Sequence, residues 1–236
     1  MVRKYLRKER PLIKSICLTT KLHYLSVLAQ NIRLKKLLTL LLVFTFFNSF
    51  AQQVDWFDSG GGGFYDVGSG ITSDKAGNSY AIGTVFQSIA NNARFGNDSI
   101  YPGQNRSYEG WIAKYTLQGN REWILPVGGT GSDLGTDIEL DSDTTFIAVG
   151  LYTGSNATFD TITGPSGAGV KLFIAQFDTG ANVQWMKAAS LGSIAMSPFS
   201  RFYNPTVSTN DSGDVYVSGV FRGQAVFGTD TLNSSS

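Results

Sequence analysis

Beyond residue 52 the chain alternates short apolar runs with clusters of Gly, Asn and Asp, and no window keeps a sustained 3.6-residue apolar rhythm. Ser79-Tyr-Ala-Ile-Gly83, Phe146-Ile-Ala-Val-Gly150 and Asp214-Val-Tyr-Val-Ser-Gly219 are rich in aromatic and β-branched residues. Each follows turn chemistry: Gly77-Asn78, Asp141-Ser-Asp143 and Asn210-Asp-Ser-Gly213. Such segments are read as strands. A second short strand is expected around Phe95, Phe159 and Phe227. A third is Trp111-Ile-Ala-Lys-Tyr115 or Phe173-Ile-Ala-Gln-Phe177, and a fourth carries Trp123 or Trp185. Period-two alternation sends Trp111, Ala113 and Tyr115 to one face of the third strand and Ile112 and Lys114 to the other.

The pattern repeats. Ile71, Ile138 and Val207 are 67 and 69 residues apart, and the same spacings relate Tyr80 to Ile147 and Tyr216, and Gly83 to Gly150 and Gly219. Trp56, Trp123 and Trp185 follow at 67 and 62. The chain is therefore read as residues 52–70, the tail of a preceding repeat; 71–137, repeat 1; 138–206, repeat 2; and 207–236, a partial repeat 3. A glycine recurring at one repeat position marks a close approach of backbones that packing requires each time. Gly83, Gly150 and Gly219 are accordingly assigned to structure, as are the aromatic markers Trp56, Trp111, Phe173, Trp123 and Trp185.

Residues 1–51 form a different segment. They hold ten of the 19 Lys/Arg and one of the 18 Asp/Glu, and residues 37–50 are apolar but for Thr39, Thr45, Asn48 and Ser49. A basic region, an apolar core and the small residues of Ser49-Phe50-Ala51 make up the plan of a secretory signal cut after Ala51. A membrane anchor is the competing reading, but the run falls short of the roughly 20 residues a spanning helix needs. The expected product is secreted or displayed on the outer cell surface, with the membrane involved only in export.

Without the leader, nine basic residues face 17 acidic ones, a net charge of −8. An acidic domain without clustered Lys/Arg argues against a nucleic-acid groove. Cys17 and His23 both lie in the leader. The remainder can therefore build neither a disulfide, nor a Cys/His zinc site, nor a Ser-His-Asp triad. No cofactor is expected.

Asp74-x-x-Gly-Asn-x-Tyr-x-x-Gly83, Phe95-Gly, Trp111-Ile-Ala-Lys-Tyr, Gly119-Asn-x-x-Trp123 and Gly128-Gly-x-x-x-Asp133-x-Gly135 together resemble the SBBP-type β-propeller repeat of secreted bacterial proteins. The resemblance covers nearly all of residues 52–236. The second repeat departs from it: Thr144-Thr145 replaces the Gly-Asn turn, and Gln176 replaces Lys114. The resemblance implies an all-β fold of propeller blades, about four antiparallel strands each, in a protein exported by type IX secretion. Closed propellers have about 4 to 8 blades. Two full repeats and two partial ones are thus expected to be a fragment of a ring.

Candidate chemistry is sparse. Asp141 and Asp143, with Asp74 and Asn210 at the Asp141 position of the other repeats, carry oxygen ligands suited to Ca²⁺; turn formation is the competing role. Glycoside hydrolysis needs paired carboxylates, and Glu109, Asp133 and Asp137 are the acids a carbohydrate-active hydrolase or lyase would use. Asp98-Ser-Ile, Asp160-Thr-Ile and Asp230-Thr-Leu resemble the O-glycosylation triplet of type IX secreting bacteria, making Ser99, Thr161 and Thr231 candidate acceptors. Two function classes stay open: a non-catalytic binding or adhesion scaffold engaging a surface glycan or protein, and a carbohydrate-active enzyme.

Overall fold

The computed structural model describes residues 23, 26, 27, 30–33, 35, 36, 55–63, 65–87, 93–100, 107–197 and 204–234. The chain divides into two units, Met1–Gln53 and Val54–Ser236. The described residues of the first unit are helical. Cys17 and the expected signal segment with its cut after Ala51 lie outside the described residues. Among the described residues no helix is long and apolar enough to cross a membrane.

The second unit is all-β, and its strands recur with the sequence period. The first set is β1 (Gly60–Gly61), β2 (Asp66–Ser73), β3 (Ser79–Gln87), β4 (Ala93–Phe95), β5 (Asp98–Ile100), β6 (Ser107–Tyr115) and β7 (Arg121–Val127). The second is β8 (Asp133–Leu140), β9 (Thr145–Tyr152), β10 (Thr158–Phe159), β11 (Ile162–Thr163), β12 (Lys171–Asp178) and β13 (Val183–Ser190). The third is β14 (Thr206–Thr209), β15 (Val215–Ser218), β16 (Gln224–Phe227) and β17 (Asp230–Asn233). The repeat boundaries drawn from spacing fall inside β2, β8 and β14.

All ladders between named strands are antiparallel. β2-β3-β6-β7 is a four-stranded meander. The second sheet has six strands in the order β17-β16-β13-β12-β9-β8, and β14-β15 form a hairpin of their own. β8 lies across the face of β2, β3 and β6, and β14 lies across β8 and β9 in the same manner. Two cores result. Trp111, Ala113 and Tyr115 pack with Val85, Phe95 and Trp56 on one side of the first sheet. On the other side Tyr80, Ile82 and Ile112 meet Ile138, Phe146, Phe173, Ala175 and Phe177 of the second. Each fully buried aromatic or aliphatic side chain contributes about 1.5–3 kcal/mol relative to exposure.

The strands joined by tight turns share one construction. In Asp74–Asn78, Asp178–Asn182 and Asn210–Asp214 the first side chain accepts from the backbone N–H four residues on, at 2.9 Å in each case. The fourth residue takes positive φ: Gly77 +84°, Ala181 +72° and Gly213 +81°. Thr116 Oγ1 plays the same part for Asn120 N at 3.2 Å. Asp and Asn start turns by this mechanism, and glycine relieves the steric cost of positive φ.

The propeller expectation is overturned. Among the described residues no sheet closes into a ring, and the first and last strands are not joined in any sheet. The strand assignment also shifts. The Phe95 segment is not the second member of a blade but a small hairpin, β4-β5, paired with β1 outside the meander. β2, for which no strand was expected, completes the four-stranded sheet in place of the Phe95 segment. The counterpart β10-β11 forms a two-stranded sheet of its own, whereas β16-β17 joins the outer edge of β13 through Ala189↔Phe227 and Ser190↔Val226. Repeat and sheet therefore do not coincide: pairing across a repeat boundary extends one four-stranded unit to six strands. With blades, ring and family unsupported, the SBBP and type IX assignments fall with them.

Candidate functional site

The recurring glycines sit under the recurring aromatics. Gly83 lies opposite Trp111 and Gly150 opposite Phe173 on adjacent strands. A Cβ on Gly83 would come within 2.6 Å of Trp111 Cζ2, and one on Gly150 within 2.5 Å of Phe173 Cε1. Gly219 differs: its nearest neighbour is Pro205 Cβ at 3.6 Å, and no aromatic lies over it.

The recurring tryptophans divide in the same way. Trp56 stacks on Tyr115 with ring centroids 5.4 Å apart. Trp123 stacks on Phe146 at 6.3 Å, and its Nε1 donates to Thr179 O at 3.2 Å. Trp185 is half-buried, and its ring faces Lys187 Nζ at 5.9 Å. Ile112 is fully buried beneath the second sheet, while its repeat counterpart Ile174 is only half-buried.

These uncovered positions converge on one cavity of about 440 Å³, bounded by Leu172, Ile174, Trp185, Val217, Gly219 and Phe227 among others. Its walls are the face of β12-β13, the hairpin β14-β15 and the hairpin β16-β17. β15 pairs with β14 along one edge, and its other edge carries no strand among the described residues. Tyr216 on β15 is 59% exposed, against 0% for Tyr80 and Ile147 at the same repeat position. Apolar concavities of about 300–1,000 Å³ are the usual form of a binding pocket.

Of the candidate acids, the structure brings Glu109 and Asp133 into one electrostatic environment and puts Asp137 elsewhere. Asp133 is fully buried at the start of β8; Oδ2 accepts from Gly129 N at 2.7 Å, and Oδ1 has no hydrogen-bond partner. Burial pushes the Asp133 carboxyl up to about 7; the Gly129 N–H opposes that rise and the Glu109 charge adds to it. Glu109, itself buried, accepts from Ser107 Oγ at 2.6 Å. Asp137 Oδ2 instead accepts from Val207 N at 2.9 Å and ties β14 to β8. Neither Glu109 nor Asp133 borders the apolar cavity.

The acids considered for Ca²⁺ are engaged in turns and cross-links. Asp74 serves Asn78 and Tyr80. Asp141 accepts from Thr145 Oγ1 at 2.6 Å and from Gln176, and Asp143 pairs with Lys75 at 2.9 Å. Among the described residues no group of three or more His, Cys, Asp or Glu is placed to hold a metal ion.

The three candidate glycan acceptors are not equivalent. Phe95↔Asp98, Phe159↔Ile162 and Phe227↔Asp230 pair across two-residue turns. Ser99 and Thr231 therefore lie in the second strand of their hairpins, while Thr161 lies in the turn itself. Thr161 and Thr231 are exposed. Asp98 is bound to Arg121 Nη2 at 2.9 Å, and Ile100 is buried in the core around Trp111.

The open groove was not found from the sequence. No family model and no curated protein matches the chain.

Proposed function

We propose that the chain is a non-catalytic binding module that engages an apolar segment of a protein partner through the groove between β12-β13 and β15. The observation that carries this reading is the groove itself: an apolar cavity of about 440 Å³ with the half-buried Trp185 on one wall and Val217 on another. Aromatic anchors in concave apolar sites dominate the energetics of protein recognition. The basic-then-apolar leader supports placing this activity outside the cytoplasm.

The experiment is a comparison of the full chain with Val217→Lys, which puts a charge in the groove. An apolar fluorescent dye, 1-anilinonaphthalene-8-sulfonate, is expected to bind the wild type at one saturable site and to lose that site in the variant. Arrays of proteins and glycans probed with both forms should show Val217-dependent signal on polypeptides. Turnover of a glycan with no Val217-dependent binding would overturn the reading. The carbohydrate-active alternative draws on the Glu109–Asp133 pair, and its weakness is that both acids are buried away from the cavity.

A further inference from the structure

Asp66 and Asp133 occupy the same repeat position, 67 residues apart, but their carboxyls stand in different surroundings. Asp66 is exposed, and its two oxygens take two backbone donors, Gly62 N at 2.9 Å and Phe86 N at 3.3 Å. Asp133 is fully buried and has one, Gly129 N at 2.7 Å on Oδ2, with Oδ1 left without a donor. The residue that matches Phe86 is Thr153, whose N–H goes instead to Ser132 O at 3.0 Å. The cross-strand row Asp133, Tyr152, Lys171 supplies no donor either: Tyr152 gives its hydroxyl to Pro165 O at 3.0 Å, and Lys171 Nζ donates to Gly167 O at 2.5 Å. Gly128 closes over the carboxyl so tightly that a Cβ there would lie 2.2 Å from Oδ2. The titratable groups around Asp133 are thus Glu109 of β6, Tyr152 of β9 and Lys171 of β12, and the Glu109 charge opposes its ionisation.

The loop held by this carboxyl, residues 128–132, connects β7 to β8 and is pinned on its far side as well. Thr158 N donates to Gly128 O at 2.7 Å, Thr130 N to Ser155 O at 3.2 Å and Ser132 N to Thr153 Oγ1 at 2.9 Å. The opposing segment, 153–158, turns through Gly154 and Asn156 at φ +82° and +56° before it enters β10. We propose that protonated Asp133 is the latch of this loop, and that its ionisation releases residues 128–132 from residues 153–158 while the sheets stay folded. An ionised carboxyl is not stable in the closed loop: Oδ1 has no donor, Glu109 repels the charge, and water reaches it only when the loop lifts. The neutral acid keeps Oδ2 as the acceptor for Gly129 at a far lower cost of desolvation. Burial raises this carboxyl to about 7, so the loop is closed below that pH and opens as pH rises through it. Opening is local because the loop is held by a few bonds, whereas the ladders on either side are continuous. Asp66, exposed and bonded through both oxygens, has no such penalty to escape.

The test is amide hydrogen exchange of the full chain, followed by NMR at pH 5.5 and pH 8, with each rate divided by the intrinsic rate at that pH. Protection of Gly129, Thr130 and Thr158 is expected to fall by about tenfold or more across this interval. Ile112 and Ile147, within the sheets, should remain about tenfold or more better protected than the loop at pH 8. Asp133→Asn keeps an acceptor for Gly129 and cannot ionise, so its loop protection should change by less than about twofold. Asp66→Asn should keep the wild-type fall. The carboxyl ¹³C resonance of Asp133, read in the wild type and so independent of how any variant folds, should titrate at the same midpoint as the Gly129 amide. Constant loop protection in the wild type, or an equal fall in Asp133→Asn, overturns the proposal. So does a fall that Asp66→Asn abolishes, or an Asp133 carboxyl that titrates with ordinary carboxylates at about 4. Loop and sheet amides that exchange alike at pH 8 would show unfolding of the whole domain in place of a local release, and would overturn it as well.

Discussion

Gly150 stands across the ladder from Phe173, and the Leu134 carbonyl oxygen and the Phe173 ring, with Cε1 2.5 Å from an ideal Cβ, together fill the place where a side chain on Gly150 would lie. The same notch at Gly219 is empty. Gly150→Ala is therefore expected to destabilise the chain by about 1–3 kcal/mol through overpacking. Gly219→Ala should stay within about 0.5 kcal/mol of the wild type. Urea denaturation followed by circular dichroism separates the two, and equal effects would contradict the difference in packing.

Phe173 is the reciprocal test. It is fully buried and lies 4.7 Å from the Phe159 ring, centroid to centroid. Phe173→Ala should cost about 3–5 kcal/mol, the transfer loss plus the cavity left behind. Combined with Gly150→Ala, the losses should be close to additive, since the Leu134 carbonyl oxygen, the atom nearest to the new methyl, remains when the ring is gone.

Asp133 predicts a pH dependence of opposite sign to the usual acid denaturation. Its carboxyl is raised from 3.8 to about 7 in the folded state, chiefly by burial. The folded protein then holds this proton more tightly than the unfolded chain. The contribution is fully present below the unfolded value near 3.8 and is lost as pH rises to about 7. A shift of one unit corresponds to about 1.4 kcal/mol. Denaturation midpoints should fall between pH 5 and pH 8, and Asp133→Asn should flatten that decline. A midpoint that rises over this range in the wild type would contradict it.

Arg121 fastens the small β1-β4-β5 sheet to the first meander. Its Nη1 meets Asp58 at 2.7 Å, its Nη2 meets Asp98 at 2.9 Å and also donates to Phe95 O, and its side chain is only 10% exposed. Arg121→Ala should cost about 1–2 kcal/mol, since it leaves the part-buried Phe95 carbonyl without its donor while the Asp58 and Asp98 carboxylates are solvated. Arg121→Lys should recover little of this, because an ammonium cannot reproduce the fork. Hydrogen exchange of Ala93–Phe95 and Asp98–Ile100 should accelerate in both variants.

The tight turns should be indifferent to calcium. Asp178 accepts from Asn182 N and Gly180 N, both at 2.9 Å, so Asp178→Ala removes backbone caps worth about 0.5–1.5 kcal/mol each. The thermal midpoint of the wild type should be the same in millimolar Ca²⁺ and in EDTA. A calcium-dependent rise that Asp141→Asn abolishes would restore a metal role for these carboxylates.

What local chemistry dictates was readable in advance. Turn residues at Asp74 and Asn210 act through side-chain contacts to the backbone N–H four residues on, and β-branched and aromatic runs form strands. The alternation of Trp111, Ile112 and Ala113 follows from the period of an extended chain, and the 67-residue spacing follows from packing that needs the same residues at each return.

Closure, sheet membership and the groove were not readable, because each depends on partners distant in sequence. Whether β16-β17 stands alone or joins β13 is settled by an edge whose paired residues lie 36 and 38 positions earlier, and nothing within Gln224–Asn233 records it. A repeat implies stacking, yet whether a stack becomes a ring depends on contacts between its two ends. Gly83, Gly150 and Gly219 look alike in the sequence; only the tertiary structure shows that two notches hold an aromatic ring and the third is open.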